Sequence, residues 1–316
     1  MNKKLALLVS LFAILCVLPT SLVYAMGSAP PPPTQEVGVV PTASEEALAK
    51  QQVDNLKNIS VNSQSVREGY EKFVKDVTNG KKYLYEFNDI AKKQFIKDVL
   101  DKRQDWKYRF AIISALNPDD PPEAFDANVK IFEDKSEKTE LRRGAIEVIP
   151  STKRGDKKTE ALEVLIRALK DDDWNIVGSA ANGLGELKSK EAVRPLIDSV
   201  RRTQKNIDKL LQEGWEEYKK GSQPEDLALA CSIKALGNIG SAIAIPVLVD
   251  VLRDPYLEKT SEKTPILNLI TKGFAIKALK AINDEHAIES IKELLSTTQD
   301  SFIIETANDA LRSLTK

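Results

Sequence analysis

The sequence is poor in the side chains on which most catalytic and metal sites depend. Its 316 residues include one histidine, His286, and two cysteines, Cys16 and Cys231. A Cys–His or Ser–His pair would have to use His286, and a zinc or iron site is hard to build from one cysteine and one histidine. A phosphate-binding glycine loop is also missing. We therefore expect no catalytic residue, no metal and no cofactor, and we interpret the protein as not being an enzyme.

Charge of one sign is lacking as well. The 46 basic and 47 acidic residues leave a formal net charge of -1. Nucleic acids and anionic lipids usually require a strongly basic surface, so this balance disfavours both as partners. We expect no nucleic-acid partner.

The individual reactive residues have simpler structural interpretations. His286 follows Glu285 at a predicted helix start, which favours a solvent-facing or capping role. Cys231 stands where most repeats described below carry a small residue, which favours a buried packing role. The acidic run 171–173 could bind a hard cation such as calcium, but a helix cap explains it more simply. The glycines within 183–185 and 237–240 are expected at helix ends, where glycine terminates the helix.

The N-terminus has the pattern of a targeting signal. Lys3 and Lys4 precede an apolar run from Leu5 to Leu18, and Val23 and Ala25 place small residues at the -3 and -1 positions of a cleavage site. We predict a signal peptide at 1–25, cleaved after Ala25, and a periplasmic or secreted protein. If the segment stays uncleaved, it would instead anchor the chain in a membrane.

Two segments lie between the leader and the repeats. Residues 26–44 are rich in proline and predict an extended linker. Residues 45–101 form a predicted helical N-terminal region: Leu48 and Leu56 mark one helix, residues 66–77 a second, and the alternating aromatics of 83–87 allow a short strand. We expect this region to cap the first of several repeats.

The repeats become visible when pairs of residues near predicted helix ends are aligned. The pairs are Ala115-Leu116, Val148-Ile149, Gly183-Leu184, Ala235-Leu236, Ala278-Leu279 and Ala310-Leu311. They are separated by 33, 35, 52, 43 and 32 residues, and the long intervals contain extra segments near 203–222 and 255–264. Periods of this size are typical of stacked helical hairpins.

Two further columns accompany these anchor pairs. The residues three positions before each anchor are mostly small, so that neighbouring helices can approach closely: Ile112, Ala145, Ala180, Ser232, Ala275 and Ala307. The residues ten positions before each anchor mostly suit a helix N-terminus, although Glu225 is weaker and Lys138 departs: Asp105, Lys138, Asp173, Glu225, Asn268 and Asp300. Each hairpin alone would leave an apolar face open, so stacking is required for stability.

Both the repeat and its residues resemble the HEAT-repeat family, particularly the short bacterial form also found in phycobilisome lyases. The residues that carry the resemblance are Asp173, Val177, Ala180, Leu184, Gly185, Leu187, Ala192, Pro195 and Leu196, and later Ala235, Leu236, Gly237, Ile239, Gly240, Pro246 and Leu248. Gly178 departs from the family pattern, which often has arginine there. The resemblance covers residues 102–316 and implies an all-α, right-handed α-solenoid of HEAT-like helical hairpins, preceded by the N-terminal cap region. Such solenoids serve many unrelated functions.

One insert and three tryptophans suggest where a partner binds. Helical spacing continues from Val193 past the usual repeat boundary to Tyr218, which predicts a projecting helix with an apolar far end. Trp106 and Trp174 share a repeat column and either pack beneath the adjacent turn or form a ligand-facing ridge. The candidate partner-binding residues are Trp215, Tyr218, Trp174 and Trp106.

These features favour an exported, non-enzymatic scaffold that binds a protein or peptide partner. The resemblance to phycobilisome lyases leaves a small-ligand-binding or lyase-like protein as an alternative. A structural envelope component, anchored through residues 5–26, is a third.

Overall fold

The computed structural model describes residues 42–62, 87–116, 118–119, 121–218, 223–254 and 266–315. Within these ranges the secondary structure consists of thirteen α-helices and three short 3-10 turns, without a strand. The helices are α1 (Ala43–Asn62), α2 (Asp89–Leu100), α3 (Trp106–Ala115), α4 (Glu123–Glu133), α5 (Thr139–Val148), α6 (Gly155–Ala168), α7 (Trp174–Leu187), α8 (Val193–Tyr218), α9 (Pro224–Ile239), α10 (Ile245–Arg253), α11 (Ile266–Ile282), α12 (His286–Thr297) and α13 (Ser301–Leu314). The prediction of an all-α, HEAT-like fold is confirmed.

Several predictions lie outside the described residues. They are the leader 1–25, the proline-rich segment as far as residue 41, the helix at 66–77, the strand apart from Phe87, and the insert near 255–264. The handedness of the stack stays a prediction.

The chain forms two compact units, one ending at Lys158 and the other beginning at Thr159. In the first unit α3 packs against α5, and α1 packs against α2 and α3. In the second unit α7, α9, α11 and α13 pack in sequence as one layer, while α8, α10 and α12 follow one another in a second layer. This alternation is what stacked hairpins produce.

The repeat columns occupy equivalent places in these helices. Each anchor pair lies in or directly after the last two turns of an odd-numbered helix from α3 onward. The residues three positions before the anchors are all fully buried: Ile112, Ala145, Ala180, Ser232, Ala275 and Ala307. The column of small residues therefore forms the inner face of this helix series, as predicted.

Glycine has a different role from the one predicted for it in α7 and α9. Gly183 and Gly185 lie inside α7, which continues to Leu187, and Gly237 lies inside α9. A methyl group on Gly237 would lie 2.8 Å from the Cα of Ala278 on α11. Gly185 and Gly237 permit close helix packing. Only Gly240, with φ +70°, ends its helix as predicted.

The predicted N-caps are confirmed at three positions. The carboxylates of Asp105, Asp173 and Asp300 accept hydrogen bonds from backbone N–H groups in the first turns of α3, α7 and α13. The prediction was wrong for Asn268, because α11 already begins at Ile266. Glu225 lies inside α9 and is therefore not its N-cap. The helix starts one residue earlier, at Pro224, because proline has the backbone geometry of a first helical position.

Helix α1 is held on the first repeat by both apolar and polar contacts. Leu56 is fully buried, whereas Leu48, expected on the same apolar face, is 47% exposed. The Asn88 side-chain amide donates to the Glu45 carbonyl at 2.7 Å, and its backbone N–H donates to Gln52 Oε1 at 3.1 Å. The chain is thereby fixed where it enters α2.

Buried charge in the first unit was not anticipated from the sequence. The guanidinium of Arg109 makes two hydrogen bonds to the Glu137 carboxylate, at 2.9 and 2.6 Å, and Nε donates to the Val99 carbonyl at 2.8 Å. Both charged side chains are under 10% exposed, at 4% and 7%. Arg142 repeats part of this arrangement one hairpin later, with Nε donating to the Phe132 carbonyl at 2.9 Å. Each arginine therefore links its own helix to the preceding one by a buried hydrogen bond: Arg109 links α3 to α2, and Arg142 links α5 to α4.

Candidate functional site

The second unit has a groove beside the N-terminus of α7. It has a volume of about 620 Å³ and lies between Trp174 and one side of α8. Its lining residues are Trp174, Arg202, Lys205, Asn206, Asp208, Lys209 and Gln212. We call this surface the α8 groove.

The capping turn before α7 fixes the position of Trp174. Asp173 accepts a hydrogen bond from Asn175 N at 2.9 Å, and Asp171 Oδ1 accepts one from Asp173 N at 3.0 Å. The acidic run 171–173 therefore has the capping role that the sequence favoured. Because Trp174 is the first residue of α7, this turn sets the direction of the indole.

Arg202 covers the Trp174 ring. Its guanidinium carbon lies 4.3 Å from the ring centroid, a distance at which cation–π attraction is effective. The same guanidinium donates to the carbonyl oxygens of Leu169, at 2.8 Å, and Asp171, at 3.3 Å. These carbonyls follow α6, so Arg202 also satisfies acceptors left open at the end of that helix. The side chain is therefore held in one place.

Three cations and one carboxylate line the groove, and nearby aspartates act on two of these four groups. Burial lowers the pKa of Arg202, and the carboxylates of Asp172 and Asp171 partly oppose that shift. Burial raises the pKa of Asp208, and repulsion from Asp254 adds to the increase. Lys205 and Lys209 are exposed on the helix surface. The side chains that line the groove thus comprise three cations and one carboxylate.

The structure separates the residues predicted to bind a partner. Trp174 lies in the α8 groove, whereas Trp106 belongs to the first unit, where it is half-buried with Lys138 Nζ 5.7 Å from its ring centroid. Trp215 and Tyr218 are on α8, confirming that this helix runs past the usual repeat boundary, but their side chains lie outside the described part of the chain. Both described tryptophans are partly covered and partly exposed.

Sequence reasoning missed the basic residues of the groove. Arg202, Lys205 and Lys209 are spaced three and four residues apart, which places them on one face of a helix. That spacing was available in the sequence. What it did not reveal is that this face turns towards Trp174, because the direction depends on how α8 packs against its neighbours.

The structure places Cys231 and His286, the two residues with potentially reactive side chains, where the sequence predicted them. Cys231 is buried, as predicted. His286 is exposed at the start of α12, as predicted, and its Nδ1 lies 2.6 Å from Asp284 Oδ1. Among the described residues, no group of three histidine, cysteine, aspartate or glutamate side chains is arranged to hold a metal ion. The same part of the chain has no helix that is both long and apolar enough to cross a membrane.

Comparison with protein families gives two matches. A model of HEAT repeats matches residues 125–211, and a model of the PBS lyase HEAT-like repeat matches residues 232–254 and 272–297. No curated protein matches the sequence.

Solved structures give weaker likenesses. The complex of CpcE and CpcF of phycocyanin lyase from Nostoc sp. PCC7120 is 21% identical, with 71% of this chain and 94% of that chain covered and a TM-score of 0.37. Human deoxyhypusine hydroxylase in complex with glycerol is 14% identical, with coverage of 85% and 98% and a TM-score of 0.34. An engineered protein is 17% identical, with coverage of 84% and 96% and a TM-score of 0.36.

Proposed function

Because this chain is a HEAT-repeat protein, we propose that it acts as a non-enzymatic scaffold that binds a protein or peptide partner through the surface of its helices. The observation that carries the proposal is the α8 groove, where a half-buried tryptophan lies next to a row of basic side chains. Aromatic and arginine side chains are enriched among the residues that dominate binding energy at protein interfaces. The packed small-residue seam of α7, α9 and α11 gives this surface a firm base.

Rigidity of the groove also favours binding. Arg202 and Trp174 are held by a cation–π contact and by hydrogen bonds to the turn before α7. A surface that is ordered before the partner arrives loses less conformational entropy on association. The groove would therefore convert modest contacts into useful affinity.

The test is affinity capture of the tagged protein from gently crosslinked cell envelopes, followed by mass spectrometry. We expect a reproducible partner that is lost with Trp174→Ala and retained with Trp106→Ala, which removes a comparable half-buried indole from the other unit. Circular dichroism would confirm that both variants fold. Capture of the same partner by wild type and Trp174→Ala would contradict the proposed site.

Export is the second part of the proposal. It is supported by the basic, apolar and small-residue pattern of residues 1–25. The intact mass of the protein isolated from its native cells tests it directly, since cleavage after Ala25 removes the first 25 residues. Recovery of the uncleaved chain from the membrane fraction would instead favour the anchored envelope component.

A small-ligand-binding or lyase-like protein is the second candidate, favoured by the match of residues 232–254 and 272–297 to the PBS lyase HEAT-like repeat. Such a protein, isolated with a bound pigment, would show a visible absorption band. A colourless protein that binds a peptide partner would favour the scaffold.

A further inference from the structure

Three of the side chains that line the α8 groove, Arg202, Lys205 and Lys209, are cations on one face of α8. We propose that the groove binds an acidic peptide segment in an extended conformation, with carboxylates placed against Lys205 and Lys209 and the chain running past Arg202 and Trp174. This assignment rests on the proposed scaffold function and names the chemistry of the partner.

The first argument is charge complementarity. The lining contains three cations, Arg202, Lys205 and Lys209, against one carboxylate, Asp208, so three positive and one negative charge leave a surplus of two. The chain as a whole has a net charge of -1, so this surplus is local to the groove. Complementary charge across an interface accelerates encounter and selects one class of partner.

The second argument is that the two lysines are available for new ion pairs. Lys205 is exposed and makes no ion pair with any described residue. Lys209 lies 3.8 Å from Glu213 on the same helix, with the two side chains 68% and 62% exposed. Exposed pairs of this kind contribute little to stability, so an incoming carboxylate can replace Glu213 at little cost.

The third argument is geometric. Arg202 and Lys209 are seven residues apart on α8, which corresponds to roughly 10 Å along the helix axis. An extended peptide advances about 3.3 Å per residue and directs alternate side chains to the same side. Acidic side chains two positions apart would then lie about 7 Å from one another, close to the roughly 6 Å that separates Lys205 and Lys209 along the axis of α8.

Arg202 gives the groove a fixed end. Its hydrogen bonds to the carbonyls of Leu169 and Asp171, together with the stacking on Trp174, hold the guanidinium in place. The two lysines, by contrast, are exposed and can adjust to the ligand. A peptide would therefore be positioned by the Trp174–Arg202 pair and held by the lysines.

The experiment measures binding of a fluorescent peptide with glutamate at alternate positions to the purified full chain. We expect saturable binding that weakens on going from low salt to about 150 mM salt, because exposed ion pairs are screened. The same peptide with glutamine in place of glutamate should not bind. An oligonucleotide of equal net charge should bind more weakly than the acidic peptide.

Variants locate the site. Lys205→Glu combined with Lys209→Glu should weaken peptide binding about tenfold or more, because attraction becomes repulsion. The matched control is Lys277→Glu combined with Lys292→Glu, which reverses two exposed lysines on α11 and α12 and should change affinity less than about twofold. Both double variants change the net charge equally.

Three results would overturn the proposal: no binding of the acidic peptide, equal binding of the oligonucleotide, or equal loss with the control lysines. If peptide binding fails while Trp174-dependent capture of a partner persists, the acidic ligand is wrong and the scaffold function stands. If both fail, the function assigned to the groove fails with them.

Discussion

Gly185 lies directly against Ala235: a methyl group at position 185 would be 2.9 Å from the Cα of Ala235 and 3.1 Å from its Cβ. Both positions belong to the layer in which α7 packs on α9. The nearest atom is backbone, so it cannot rotate out of the way. Contact between α7 and α9 at this distance therefore requires glycine.

Replacing Gly185 tests this relationship. We expect Gly185→Ala to destabilise the protein by about 1–3 kcal/mol, since overpacking forces the two helices apart despite alanine's better helix propensity. Thermal unfolding followed by circular dichroism should show a lower midpoint.

The matched control is Gly155→Ala in the first turn of α6, where an added methyl group meets no atom within 4 Å. There the gain in helix propensity should be unopposed, and stability should stay level or rise by up to about 1 kcal/mol. Equal effects of the two substitutions would show that close packing at Gly185 is not limiting.

The second prediction concerns the contribution of the buried pair Arg109–Glu137 to stability. Arg109→Met should cost about 3–5 kcal/mol, because Glu137 would remain buried without its partner. Adding Glu137→Leu removes that charge and should recover much of the loss. The double-mutant cycle, measured by urea unfolding, reports the coupling between the two side chains.

An exposed pair provides the comparison. Arg253 and Glu293 lie 2.7 Å apart, but their side chains are 57% and 54% exposed. We expect Arg253→Met to cost less than about 1 kcal/mol. A similar cost at Arg109 and Arg253 would contradict the role assigned to burial.

The repeat columns explain why so much of this fold could be predicted from the sequence. Small residues such as Ala180 and Ala275 recur because a helix partner lies close, and Asp105, Asp173 and Asp300 recur because free N–H groups need acceptors. Both causes recur in successive repeats, so they leave a periodic signal.

The remaining features depend on contacts that no period encodes. Gly185 and Gly237 look like helix ends in the sequence, and only the approach of the next helix shows that they are packing positions. The hydrogen bonds between Arg109 and Glu137 join residues that are 28 positions apart in the sequence. The groove also depends on tertiary packing, since Arg202 reaches Trp174 only because α8 turns that face towards the start of α7.

Tyr108 leads to a prediction about alkaline pH. Its hydroxyl donates to Asp98 Oδ2 at 2.7 Å in the core, and burial, followed by this hydrogen bond, raises the pKa of Tyr108 well above its ordinary value of 10.0. The stabilisation is fully present below pH 10.0 and is lost as the pH rises towards the native pKa, because only the unfolded chain then ionises at this residue.

The measurement is urea unfolding between neutral and alkaline pH, with Tyr108→Phe as the reference. At neutral pH the variant should be less stable by about 1–3 kcal/mol, since Asp98 loses a buried donor. Above pH 10.0 the difference should shrink by up to about 1.4 kcal/mol per pH unit. A constant difference would show that Tyr108 ionises equally in both states.

His286 offers a direct test of local electrostatics, because it is the only histidine in the chain. Its Nδ1 lies 2.6 Å from Asp284 Oδ1, and this hydrogen bond, supported by the carboxylate charge, raises the pKa of His286 above its ordinary 6.5. The resulting stabilisation is present below the unfolded pKa and is lost as the pH rises through the native value.

Titration of the single imidazole by NMR should show the raised pKa in the wild type. Asp284→Asn should move it back towards 6.5, whereas Asp300→Asn, which changes a carboxylate at another helix start, should leave it in place. A His286 pKa that is the same in wild type and Asp284→Asn would mean that the pair does not persist in solution.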